Sequence, residues 1–225
     1  MHNLFLLIFL SICTVSVAQN TDVEVQIDSI TYLDTSTEER VFTIHYHIKN
    51  KTKSLVSLVL NTKELRSNMY NSSSWIPSYR LFQDKIMVES NTIFDSKKSD
   101  AVLKKMMQDL ESNRDKLNEY LLAKQKTIAT TISKSIINTI VKLKGNETKS
   151  FVVSLIWDKN RYHKHFDNEY YLDQKSTYYL DLFLYFNKHE LKDSLLPEDL
   201  NTILEDATLA TGWLYSNKIE INFKD

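Results

Sequence analysis

In the stretch VFTIHYHIKN, residues 41–50, the apolar Phe42, Ile44, Tyr46 and Ile48 alternate with Thr43, His45, His47 and Lys49. A period of two is the signature of a strand with one buried face. The chain must therefore build a sheet and cover it. The same period opens the region before it, where Val23, Val25 and Ile27 alternate with Glu24, Gln26 and Asp28. The apolar parity then slips to Ile30 and Tyr32, as a β-bulge allows. A polar turn, Asn50-Lys51-Thr52-Lys53, leads into SLVSLVLN, which is apolar on both faces. Three strands joined by polar turns read as an antiparallel start.

After a Ser- and Asn-rich loop from Asn61 to Trp75, YRLF and KIMVES supply one or two short strands, and the period then changes. Leu103, Met107, Leu110, Leu117 and Leu121 recur at spacings of three, four or seven between Ser99 and about Leu122, which predicts an amphipathic helix with Ser99 as N-cap. Residues 126–143 keep a four-residue step at Ile128, Ile132, Ile136 and Ile140, but β-branched residues dominate there. Helix is expected to about Ile137 and extended chain beyond it. Alternation returns at Phe151, Val153, Leu155 and Trp157, at Tyr178 to Phe186, and at Ile219, Ile221 and Phe223. Pro197 opens a short helix. The expected fold is mainly β: an Ig-like antiparallel β-sandwich with a helical insertion over about 97–142 and a short helix near the C-terminus. No linker-like boundary divides residues 19–225, so one domain is expected.

The start, MHNLFLLIFLSICTVSVAQN, joins an apolar run to Ser16-Val17-Ala18 and reads as a signal peptide over residues 1–18, cleaved after Ala18. The competing lipoprotein reading uses Cys13, but Ile12 stands where the lipobox wants Gly, Ala or Ser, so ordinary cleavage is preferred. The protein is thus expected to be secreted or periplasmic. Cys13 is the only cysteine, and a chain without it has neither disulfide nor thiolate chemistry. No later segment offers the roughly 20 apolar residues of a transmembrane helix. Balanced charge, 28 basic against 29 acidic residues, argues against nucleic acid as a partner. With only two glycines, a Gly-rich phosphate loop cannot be built, and no cofactor is called for.

Two His-x-His pairs carry metal-ligand chemistry. His45 and His47 point the same way on a strand, and His163 and His165 precede Asp167, Glu169 and Asp173 in a segment that could wrap an ion. Strand parity sends the first pair to the wet face, where plain polar decoration explains them. The second pair also fits a charged hairpin connection. The same segment holds Trp157, Tyr162, Phe166, Tyr170 and Tyr171 beside Asp158, Asp167 and Glu169. Ring faces with neighbouring acids suit a sugar platform, and paired carboxylates suit a glycosidase. Core and edge packing account for the rings equally well. No catalytic residue is assigned, since there is no G-x-S-x-G elbow and no cysteine for a Cys–His pair.

Taken together, the leader ending in VAQ, IHYHIKNKT, KGNETKSFVVSLIWD and the closing SNKIEINF resemble uncharacterised exported β-sandwich proteins of the Bacteroidota. The resemblance covers most of the chain and contains no motif specific for an activity. It implies a cell-envelope or secreted setting. The function expected is non-enzymatic: a binding or structural protein of the envelope whose partner is a protein or a glycan, held by the helical excursion or the aromatic segment. The alternative is a metal- or carboxylate-dependent, glycan-directed hydrolase centred on residues 157–173.

Overall fold

The computed structural model describes residues 22–67, 75–88, 96–159, 170, 172 and 176–224. The elements are β1 (Val23–Asp34), β2 (Glu39–Asn50), β3 (Val56–Val59), β4 (Arg66–Ser67), β5 (Ser78–Gln83), β6 (Ile86–Met87), α1 (Ser96–Ile137), β7 (Ile140–Leu143), β8 (Thr148–Asp158), β9 (Tyr178–Phe186), α2 (Pro197–Glu205), β10 (Gly212–Tyr215) and β11 (Ile219–Ile221). A 3-10 helix, Lys188–Asp193, follows β9. The chain is mainly β, with several antiparallel sheets.

The first sheet has the order β1-β2-β8. The second has the order β10-β9-β5-β4, with β11 beside β9 and β6 beside β5. β3 and β7 form a third. The alternating residues of β1, β2 and β8 turn inward together: Val25, Ile27, Phe42, Ile44, Tyr46, Ile48, Val153 and Leu155 share one core with Tyr79, Leu81, Leu180, Leu182, Leu184 and Ile221 of the second sheet. Burying such side chains stabilises by about 1.5–3 kcal/mol each.

The pairing of β1 with β2 shifts between Ile27 and Ser29, the point where the sequence parity slips. Asn217, from the turn between β10 and β11, meets the backbone there. Its Oδ1 accepts from Ile27 N at 2.7 Å and its Nδ2 donates to Ile27 O at 3.1 Å, so one amide ties the edge of the first sheet to the second.

The C-terminal tail is held by a buried cation. Arg40, 3% exposed, donates to the carbonyls of Asn222 and Lys224 at 3.1 and 2.8 Å and forks onto Asp34 at 2.6 and 2.9 Å. Arg40, with Lys159 at 3.1 Å, holds the Asp34 carboxyl well below the usual carboxylate range. Phe223 is thereby wedged against Trp157, at 4.2 Å between ring centroids, and against Phe42 and Tyr178.

α1 spans 42 residues, about 63 Å at 1.5 Å per residue. Its described side chains between Lys104 and Ile128 are exposed, and among the described residues it is the last turns that are buried. Ile136 packs with Val59, Leu191, Leu195, Ile203 and Leu209, while the buried Ser133 hydroxyl donates to Asp199 and accepts from Leu196 N. The insertion expected over about 97–142 is not helical throughout. Ile140–Leu143 is β7, paired with β3 from Val59↔Ile140 to Val56↔Leu143, because β-branched chain with a free strand beside it gains ladder bonds that a helix end lacks.

Candidate functional site

β9 is apolar on both faces. Tyr178, Leu180, Leu182, Leu184 and Phe186 enter the core, so Tyr179, Asp181, Phe183 and Tyr185 lie on the opposite face of the second sheet. The register sets Tyr185 across from Trp213, and Phe183 across from Tyr215 on one side and Ser78 on the other. It also sets Asp181 across from Arg80. Cross-strand neighbours on one face stand within about 5.5 Å of each other, and here they stack.

Tyr185 and Trp213 lie 3.8 Å apart between centroids at 20°, Trp213 and Phe183 4.7 Å apart at 17°, and Phe183 and Tyr215 5.3 Å apart at 22°. Four near-parallel rings thus run across the outer face. Tyr215 is 40% exposed at one end of the stack. Beside the rings, Arg80 forks onto Asp181 with Nε to Oδ1 at 2.9 Å and Nη2 to Oδ2 at 2.5 Å. Its guanidinium also lies 4.4 Å from the Tyr215 centroid, and the Lys218 ammonium sits 3.3 Å from that of Phe82. Asp181 is buried, which pushes its carboxyl up; Arg80 and Lys218 pull it back down.

Two clefts elsewhere, of ≈ 350 and ≈ 390 Å³, have the size of small-ligand sites. Polar groups in both are already engaged. Thr208 of the first is bonded to Asp206 and Ser57, and Asn61 of the second to Glu64 and Lys63. In the ring stack Phe183 is buried and Tyr185 and Trp213 are half-buried, so solvent reaches it chiefly at Tyr215.

The residues singled out from sequence are distributed differently. Trp157, 5% exposed, belongs to the core around Phe223. Tyr170, 1% exposed, donates its hydroxyl to Tyr79 O at 3.4 Å and packs against that ring. Neither ring is presented to a ligand. Tyr162, Phe166, Tyr171, His163 and His165 lie outside the described residues. His45 is exposed on the outer face of β2, and His47 Nδ1 is hydrogen-bonded to Asp28 Oδ1 at 2.7 Å. Among the described residues, no three His, Cys, Asp or Glu side chains gather as a metal would need.

No family model matches the chain, and comparison with curated proteins and with solved structures gives no match. The stack was legible in principle: Tyr179, Phe183 and Tyr185 alternate as clearly as the core residues of β9 do, and Trp213-x-Tyr215 keeps one parity. A strand aromatic on both faces is the signal, because a core needs only one of them.

Proposed function

We propose that the protein is an exported, non-enzymatic binding protein of the cell envelope, an Ig-like β-sandwich that holds a glycan against the outer face of its second sheet. The four-ring stack ending at the exposed Tyr215 carries this reading. Aromatic faces bind the apolar faces of sugar rings, and Tyr215 is the ring of the stack that solvent reaches most. Binding is favoured over hydrolysis at this face because both oxygens of Asp181 are engaged by Arg80, whereas a glycosidase needs one carboxyl to give a proton and a second to act beside it.

Titrating neutral and acidic oligosaccharides while following tryptophan fluorescence tests the reading. Binding is expected to weaken at least tenfold, about 1.4 kcal/mol, in Trp213→Ala and Tyr215→Ala. Trp157→Phe, a core change, should leave affinity unaltered. Equal binding by Trp213→Ala and the unaltered protein, or no binding at all, would refute it.

Export rests on the leader. The expected mature chain begins at Gln19 without lipid, and intact-mass measurement of the protein recovered from the envelope or medium decides it. Retained residues 1–18, or a diacylglyceryl group on Cys13, would count against that processing.

A further inference from the structure

β8 pairs with β2 from Thr148 to Lys49 through Asp158 to Glu39 without a register shift, and among the described residues no strand lies on its other side. An edge of this kind exposes backbone donors and acceptors at every second residue. Proteins commonly guard such an edge with charge, proline or a bulge. Residues 150–157, SFVVSLIW, contain none of these residue types, and the bulge of this sheet lies in β1 at the far side. The outward residues add a second feature: Val152 is 52% and Ile156 62% exposed, four residues apart on one face.

We propose that two copies of this chain join through antiparallel pairing of β8 with β8, about a two-fold axis at Ser154. This register is set by the exposed residues. With Ser154 across from itself, Val152 lies across from the partner's Ile156 and Val153 from the partner's Leu155, so each exposed β-branched residue meets its complement. Moving the axis to Val153 puts Ser154 opposite Val152 and Ser150 opposite Ile156. Moving it to Leu155 puts Asp158 opposite Val152. Both leave apolar surface against polar groups. The uncharged middle of the edge, between Lys149 and Asp158, lets a copy approach, and the chain's net charge of -1 adds little repulsion between copies. The product is an isologous, closed dimer in which the first sheets merge in the order β1-β2-β8-β8-β2-β1.

Sedimentation equilibrium of the purified protein is expected to give a dimer. V152K/I156K sets like charges across the axis and should give a monomer with unchanged circular dichroism. V152K/I156E sets opposite charges across it and should restore the dimer. Register is read by disulfide trapping: in a Cys13→Ser background Ser154→Cys is the only thiol, and antiparallel neighbours at about 4.5–5.5 Å between Cα atoms are within disulfide reach. Mild oxidation should cross-link S154C and leave T43C, one strand inward, uncross-linked. A monomeric unaltered protein, a V152K/I156K dimer as tight as the unaltered one, or T43C cross-linking as readily as S154C would each overturn the proposal.

Discussion

Asn50→Leu is expected to cost about 4 kcal/mol, most of the margin of a domain whose stability lies in the usual range of about 5–15 kcal/mol. Asn50 is fully buried at the end of β2. Its Nδ2 donates to the carbonyls of Ser54, Leu143 and Lys144 at 2.7, 3.1 and 3.0 Å, and its Oδ1 accepts from the Thr52 N–H and hydroxyl at 2.9 and 2.8 Å. Leucine has similar bulk and offers none of these bonds. Each buried group left unmade costs about 1–3 kcal/mol, and the Thr52 hydroxyl, which also reaches Ser54 O, softens the total. The two turns joined here lie close: a Cβ on Gly145 would stand 2.3 Å from Lys53 O, so water cannot enter without parting them. Urea unfolding measures the effect as a lower midpoint at unchanged slope. A loss under about 1 kcal/mol, the worth of one ordinary hydrogen bond, would show that Asn50 does not hold the turns.

Asp181→Ala comes next, at about 3 kcal/mol. Breaking a buried pair by removing one partner costs about 3–5 kcal/mol because the remaining charge is stranded, and the Arg80 side chain, 19% exposed, keeps enough water to stay at the lower end. Replacing both charges with apolar groups, Arg80→Met with Asp181→Leu, should recover most of that loss. A double variant no more stable than Asp181→Ala would place the cost in lost packing under Tyr215 instead. The pair also has a signed pH response. Burial raises the Asp181 carboxyl, so the folded chain keeps that proton to higher pH than the unfolded chain does. Its contribution to stability is therefore largest below the ordinary carboxylate value and falls as pH rises through the raised one. Asp181→Asn should remove this slope, which unfolding midpoints across the acid range will read.

Local period sufficed for β2, for the slip in β1 and for the core face of β9, because alternation is a property of neighbouring residues. Partnership was not legible. β2 finds its second neighbour in β8 and β5 finds β9 roughly a hundred residues on, and no pattern within a strand names its mate. That limit bears on two of the candidate platform rings. Trp157 reads as core or platform and Tyr170 as edge cover or platform while their covering residues, Phe223 and Tyr79, are out of view in sequence. Tyr185 looks like ordinary strand filler until β10 brings Trp213 onto it. At the base of α1, β-branched residues at a helical step satisfy two periods; helix to about Ile137 with extended chain beyond it was legible, and the partner that makes Ile140 onward a strand, β3, was not.

Every sheet takes strands from both sides of α1: β8 joins β1 and β2, β9 joins β5, and β7 joins β3. As the chain emerges N-terminus first, the β1–β2 hairpin, the short β4–β5 and β5–β6 pairings and the helix have their hydrogen-bonding partners close by. Loop closure across α1 must precede the β2–β8, β3–β7 and β5–β9 contacts, so completing the core has to wait for residues beyond 178. A chain ordered in this way leaves its core unassembled for most of its synthesis, the state in which a polypeptide can be threaded through a narrow channel. Its longest element, α1, needs only neighbours to form, and among its described residues the last turns join the core that forms last.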